Sequence, residues 1–298
     1  MVELNPRVLG DLPVAPTADH TARKIRTGTW KYVQPRYRDA SPPCSNACPA
    51  GNDISGFIHL LTQGRVEEAA MALRAGNPLP ATLGRVCPHP CEGACNRETL
   101  GGAIAVHLLE RFLGDQVLAD RYRPQAAPPS GNRVAVIGAG PAGIAAAYNL
   151  ALAGHAVDVY DDKPEPGGYL RTGIPEYRLP REVLDAEIRR VEQTGVRFNT
   201  GVRVGRDVEF DELRQRYDAV LVAVGFHGSR PLGVPGEDHR DVYNGVQLLE
   251  RILLGERPLL PRRVAVVGGG NTAMDVARVL LRLHVEPVVV YRRTRDEM

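Results

Sequence analysis

Apolar positions along the chain change period at identifiable places, and those changes mark out its organisation. Ile54, Phe57, Ile58 and Leu61 fall on one helical face behind Asp53, a good N-cap. Val66, Ala69, Ala70 and Leu73 form a second such face, stopped by Gly76 and Pro78, and a further helix covers about 104–113. Residues 124–132, PQAAPPSGN, are a linker of helix and strand breakers. Beyond it, short apolar runs alternate with helical segments. Val134, Val136 and Ile137 suit a buried parallel strand, a glycine turn and a helix follow, and a second strand over 156–160 ends at Asp161. A helix carrying Val183, Leu184, Ile188 and Val191, strands over 196–198 and 219–224, the turn-rich GVPGED at 233–238 and a helix over 243–254 lead to residues 263–291. That stretch repeats strand, glycine turn, helix and strand. The predicted fold class is an N-terminal all-α domain over 44–123, followed by an α/β fold of two Rossmann-like dinucleotide-binding units, 133–243 and 244–298. Residues 1–43, rich in Pro and Arg and without periodicity, read as an extended arm.

Composition narrows the function classes. A length of 298 residues suits about two domains, and a net charge of +2 implies no polyelectrolyte partner, so no nucleic acid. The N-terminal stretch lacks the apolar core of a signal peptide, and no run is long enough to span a membrane, which makes the cytoplasm the expected compartment. The five cysteines, Cys44, Cys48, Cys87, Cys91 and Cys95, all precede residue 96. An odd, clustered set in a reducing compartment argues for metal binding over a disulfide framework.

The first nucleotide unit reads GAGPAG between its strand and its helix. Gly138 permits the tight turn, Gly140 lets the backbone approach a pyrophosphate, and Gly143 lets the helix pack closely on the strand. The helix N-terminus then directs free amides at the phosphates. Asp161, about 20 residues on, is placed to accept the ribose hydroxyls of an adenosine. Gly167 and Gly168, with Leu170 and Arg171, bring backbone against the dinucleotide a second time. The second unit has Gly268 and Gly270, with Ala273 in the third glycine's place. Its second strand is followed by Arg292 and Arg293 in place of an acid. A guanidinium binds a 2′-phosphate that an acid would repel, so this site favours NADP over NAD. The same two arginines also suit a solvated surface.

The cysteines need their own chemistry. A Cys-x3-Cys pair places two thiols close together, and Cys followed by Pro, as at Cys48 and Cys87, is the punctuation of iron-sulfur loops. Zinc competes for the same donors, and His89 lies near enough in sequence to join it, yet the Cys-x2-Cys knuckles of structural zinc sites are missing. Free or disulfide-bonded structural cysteines are the third reading.

Taken in order, the cysteine-rich helical stretch, GAGPAG, GGYLRTGIPEYRLP, GVPGED and GGGNTAMD resemble one family across about 44–298. It is the group of FAD- and NADPH-binding iron-sulfur modules that includes the small subunit of bacterial glutamate synthase and the N-terminal half of dihydropyrimidine dehydrogenase. The resemblance implies that NADPH passes a hydride to FAD and that electrons leave singly, through a 4Fe-4S cluster, to a catalytic partner subunit. It places FAD against Gly138, Gly140, Pro141, Ala142, Asp161, Gly168, Leu170, Arg178 and Val204. It places NADPH on Gly270, Asn271, Thr272 and Ala273, with Arg292 and Arg293 at the 2′-phosphate. Hydride transfer between stacked rings asks for alignment, and no catalytic acid or base is implied. A surface salt bridge is the other reading of Arg178.

Two departures from the family qualify this. Its pattern carries two four-iron clusters and opens with a further cysteine pair, whose positions here fall near Arg36 and Asp39. One cluster survives, with Cys48, Cys87 and Cys91 as ligands and Glu110 matching the family's non-cysteine ligand, unless Glu110 is simply a solvated helix carboxylate. Cys44 and Cys95 are the remnant of the other cluster, which lacks half its ligands. The sequence also stops after YRRTRDE, before a third strand of the second unit, so apolar sheet faces are expected to lie open and the chain to be a fragment that holds FAD poorly. Two other functions compete. A disulfide reductase of the thioredoxin reductase kind needs a redox cysteine pair near the nucleotides, and no cysteine follows Cys95. A truncated, non-catalytic nucleotide-binding scaffold is the other.

Overall fold

A computed structural model describes residues 41–119, 125–226, 228, 231–294 and 296. Nearly all of the arm expected over 1–43, with the positions near Arg36 and Asp39, lies outside the described residues.

The helical domain is built from α1 (Pro43–Ala47), α2 (Ile54–Thr62), α3 (Val66–Gly76), α4 (Pro80–Val86), α5 (Pro90–Gly93), a 3-10 turn at Glu98–Leu100 and α6 (Val106–Ala119). Asp53 caps α2 by accepting from the Gly56 amide at 2.9 Å. Ile54, Phe57, Ala69, Leu73, Val106 and Leu113 form its core, so both predicted faces point inward. Two features differ from the expectation. The last helix runs on past Gly114 to Ala119 where the pattern was expected to stop near 113. Gly114 is there for contact, because a Cβ on it would lie 2.3 Å from the Ala81 nitrogen of α4. Gly84 answers from the other side, where a Cβ would lie 2.5 Å from the Arg111 nitrogen, and the two helices cross backbone against backbone. Helix α4 itself has no amphipathic period, since Pro80, Ala81, Thr82 and Gly84 are all buried, and only Pro80 at its start announces it.

The first nucleotide unit is a parallel sheet in the order β3-β2-β1-β4, from β1 (Arg133–Ile137), β2 (Ala156–Asp161), β3 (Arg197–Thr200) and β4 (Ala219–Val222). Helix α7 (Pro141–Leu152) is the crossover that joins β1 to its parallel neighbour β2, and α8 (Tyr169–Thr172) and α9 (Arg181–Glu192) precede β3. Val134, Val136, Val157 and Val159 pack against Ile144 and Tyr148 of α7 and Leu184, Ile188 and Val191 of α9. The opposite face is closed by α10 (Phe210–Arg216), through Leu213, with Tyr217 beside it. Leu79, in front of α4, belongs to the sheet's core, so the helical domain and the sheet share one apolar interior.

The second unit has α11 (Gly245–Leu253), β5 (Arg263–Val267), α12 (Asn271–Arg282) and β6 (Glu286–Val290), with β5 and β6 paired in parallel. Val266, Val276, Leu280, Leu248 and Leu249 fill its core. Val267, Val288 and Val290 are exposed, as expected of a two-stranded piece. Among the described residues no helix is long and apolar enough to cross a membrane.

Candidate functional site

A cavity of about 420 Å³ opens at the carboxyl ends of β1 and β2. Gly138, Gly140, Pro141, Ala142, Asp161, Gly168 and Val204, seven of the residues expected around FAD, line it. Its floor is made by glycines for steric reasons that the coordinates make explicit. Gly138 has φ of +107°, and a Cβ there would lie 2.3 Å from the Ala223 carbonyl oxygen. Gly168 has φ of +51°, and its Cβ would fall 2.7 Å from the Gly140 Cα, so the two glycine turns touch and leave a wall without side chains. Gly143 lies beneath the cavity, where a Cβ would come within 1.8 Å of the Gly138 oxygen, which is the helix-on-strand packing expected of it. Helix α7 begins at Pro141 with no side-chain cap, so the donors of its first turn remain available to an anion.

Asp161 organises this floor. Its Oδ2 accepts from the Ala139 amide at 2.6 Å and its Oδ1 from the Lys163 amide at 2.9 Å. Each oxygen keeps a lone pair, and the carboxylate stands at the cavity wall. Lys163, which sequence reasoning passed over, lines the same wall and forms an ion pair with Glu250 of α11, which holds its ammonium above the usual lysine range. Two expected FAD contacts lie elsewhere. Leu170 is buried in the sheet's core, because it sits on the inner side of α8. Arg178 turns to Asp275 of α12, 2.5 Å away, while Tyr177 donates to the same carboxylate at 3.2 Å. This pair joins the two nucleotide units and is no surface salt bridge, since Asp275 is buried.

In the second unit Gly268, with φ of +124°, makes the turn, Gly270 is the N-cap of α12, and Asn271, Thr272 and Ala273 form its first turn. A Cβ on Gly268 would meet Ala273 Cβ at 3.6 Å, an ordinary contact, so alanine fits the third glycine's place. Tyr291 covers Gly269, and Arg292 and Arg293 stand exposed just beyond β6 with no ion pair among the described residues.

The sulfurs gather at the ends of short helices. Cys48 follows α1, Cys87 ends α4 and Cys91 lies in α5. Burial pushes the Cys91 thiol up to about 11, with Cys48, Glu92 and Cys87 adding repulsion. Cys87 is raised by burial, then by Glu110, Cys48 and Glu92, against the His89 amide that bonds its sulfur at 3.3 Å. Cys87 and Cys91, with Cys48 close enough to repel both, thus lie where burial disfavours their anions, as suits thiols that await a cation. All five cysteines are unpaired in this structure, and Cys44 and Cys95 are half-buried in the same helical domain.

Glu110 is no solvated carboxylate. It is 6 % exposed, accepts from Asn77 Nδ2 at 2.6 Å, and is pushed up to about 7 by burial and by Glu187. Glu187 belongs to α9 of the sheet domain and accepts from the Ala81 and Thr82 amides at 2.7 and 2.8 Å. A carboxylate of one domain therefore caps the helix whose far end is Cys87 of the other. Arg74, 1 % exposed, lies over the Tyr148 ring and draws the Glu187 carboxyl down. None of these three contacts is visible as a motif, because each joins residues distant in sequence.

Residues 132–296 match the family described as pyridine nucleotide-disulphide oxidoreductase, and residues 37–122 match that described as dihydropyrimidine dehydrogenase domain II, 4Fe-4S cluster. The chain is 42% identical over 283 residues to the NADP(+)-dependent formate dehydrogenase subunit beta of Moorella thermoacetica, covering 86% of this chain and 40% of that one. It is 40% identical over 264 residues to the NADPH-Fe(3+) oxidoreductase subunit beta of Geobacter sulfurreducens, covering 86% and 39%. The NADPH glutamate synthase small chain of Escherichia coli is 36% identical over 274 residues, covering 87% and 58%. The chain thus spans about two fifths of the first two relatives.

Proposed function

The chain belongs to the pyridine nucleotide-disulphide oxidoreductase family, and on that premise we propose that it carries electrons from NADPH through FAD and one 4Fe-4S cluster to a catalytic partner subunit. Its helical domain is of the dihydropyrimidine dehydrogenase domain II, 4Fe-4S type, and its cofactors are FAD, NADPH and that cluster. The names of the relatives describe NADP(+)- or NADPH-linked subunits, and it is this shared part, not formate, iron(III) or glutamate, that is carried to the present chain.

One observation supports the reading above the others. Helix α4 is held at its start by Glu187 of the sheet domain and ends at Cys87. Its seven residues span about 10 Å, so a rigid element fixes the thiol site relative to the nucleotide cavity. Fixed spacing is what electron transfer between two centres requires, whereas a mere docking domain needs none.

The residues present fit the groups. The wall of Gly140 and Gly168 admits a pyrophosphate, the start of α7 offers amides to it, and Asp161 keeps lone pairs for ribose hydroxyls. Cys48, Cys87 and Cys91 with Glu110 offer a four-donor set, and the burial of Cys87 and Cys91 leaves their anions in need of a cation. Bound FAD would supply the step between two-electron hydride chemistry and one-electron transfer to the cluster. The chain's own part is to align the rings and exclude water. Arg178 and Tyr177 on Asp275, with Lys163 on Glu250, hold the second unit against the first. Arg292 and Arg293 offer the 2′-phosphate its forks. Disulfide reduction is disfavoured because no cysteine occurs after Cys95.

Anaerobic titration of the full-length holoprotein with NADPH tests the proposal. Flavin absorbance is expected to bleach first, followed by the paramagnetic signal of a reduced four-iron cluster. Bleaching with the cluster left oxidised under excess NADPH would refute it.

A further inference from the structure

Beside the thiol site, but built from other residues, lies a second group of metal donors. His89, Glu92 and His107 each bring a ligand atom within 4.8 Å of the other two. Their placement comes from two elements. His89 precedes α5, in the run Cys-Pro-His-Pro-Cys, with φ of +53°, an uncommon conformation for a residue with a side chain. His107 lies in the first turn of α6, and Glu92 of α5 reaches across to it, accepting from its amide at 2.9 Å and from its Nδ1 at 2.7 Å. The two imidazole rings lie 4.6 Å apart, tilted by 37°.

The hydrogen bonds leave one ring nitrogen, on His89, bare for a metal. The His89 ring bonds the Leu83 carbonyl, and since its Nε2 is buried without a partner, the bond is made by Nδ1. His107 meets Glu92 through Nδ1, 2.7 Å from Oε1, and a metal ion would take the place of the proton these two atoms share. An imidazole whose far N–H is fixed by a carbonyl, with the other nitrogen bare, is the usual state of a histidine ligand, and it is that of His89. A buried ring nitrogen with nothing to accept is costly by itself, and a metal ion would satisfy it. Two imidazoles and a carboxylate are the donor set of three-ligand zinc sites with an open fourth position. Zinc bonds of about 2.0 Å put such donors roughly 3.3 Å apart, so the His107–Glu92 pair must open slightly and His89 draw nearer to it. His107 and Glu92 keep 35% and 24% of their side-chain surface exposed and have room to make that adjustment.

We propose that His89, Glu92 and His107 bind one divalent transition-metal ion of the zinc class, distinct from the iron-sulfur ligands, that staples the loop carrying Cys87 and Cys91 to α6. The consequence would be mechanical. α5 holds Cys91 and α6 holds Glu110, so a staple between them fixes two members of the thiol site that no covalent link joins.

Dialysis of the anaerobically purified holoprotein against micromolar Zn2+, followed by elemental analysis for zinc and iron, tests this. The wild type is expected to retain a single zinc ion per chain and to gain thermal stability. His107→Asn, whose amide can still donate to Glu92, is expected to bind zinc at least roughly ten-fold more weakly with its iron unchanged. Failure of the iron-replete wild type to retain zinc overturns the proposal, as does equal zinc binding by the variant. Loss of iron from His107→Asn would also overturn it, by making His107 part of the cluster site.

Discussion

At Gly140 a methyl group would find its nearest neighbour, the Gly168 Cα, at 4.0 Å, whereas at Gly168 it would lie 2.7 Å from the Gly140 Cα on a backbone with φ of +51°. The two glycines therefore separate binding from folding. Gly140→Ala is expected to cost at most about 1 kcal/mol of stability and to weaken flavin binding at least ten-fold, because its methyl enters the pyrophosphate's place. Gly168→Ala is expected to cost about 1–3 kcal/mol as well. Thermal midpoints and flavin content of the purified variants read both effects, and full flavin occupancy in Gly140→Ala would remove the proposed cradle. Arg292 and Arg293 are tested by kinetics. Replacing both by alanine is expected to raise KM for NADPH roughly 10–100-fold, the loss of charge-assisted bonds, and to leave KM for NADH within a factor of two. The glycine turns were legible in the sequence because their requirements are local, a turn and a close approach. Which way Leu170 and Arg178 turn was not legible, for the converse reason that it depends on Asp275 and on a core assembled from distant segments.

Elements show the same division. Helices α2, α3 and α9 have one apolar face and could be read directly, while α4 has no exposed face and α6 continues through a glycine that contact with α4 demands. The capping of α4 by Glu187 carries a pH dependence. Burial pushes that carboxyl up to about 7 from an ordinary 4.5, against the pull of the Thr82 and Ala81 amides. The folded protein thus holds this proton more tightly than the unfolded chain. The group's contribution to stability is complete below about pH 4.5 and is lost as pH rises through about 7. Glu187→Gln keeps an oxygen to accept from α4 and removes the titration, so its thermal midpoint should vary less than that of the wild type between about pH 5 and about pH 8. Glu187→Ala leaves the two amides unsatisfied and is expected to cost about 2–3 kcal/mol near pH 5 and less as pH rises through about 7. Parallel pH profiles of wild type and Glu187→Gln would show that the carboxylate is not the titrating group.

For the whole molecule, a helical domain and a nucleotide fold share one interior, and a second nucleotide unit is tied to the first by Lys163 with Glu250 and by Arg178 and Tyr177 with Asp275. The order of the parts was legible, because glycine motifs and cysteine spacing persist in a single sequence. Their mutual attachment was not, since Glu187 and Ala81 are separated by 106 positions and nothing local marks either. That attachment matters most at the thiol site, where Cys48, Cys87 and Cys91 converge beside a buried Glu110. The most direct test is the iron and acid-labile sulfide content, per bound flavin, of the full-length protein purified without oxygen, compared between wild type and Cys91→Ser. A loss of about four irons and four sulfides in the variant, with flavin retained, is the predicted result. A Cys91→Ser protein that keeps the iron of the wild type would contradict the account.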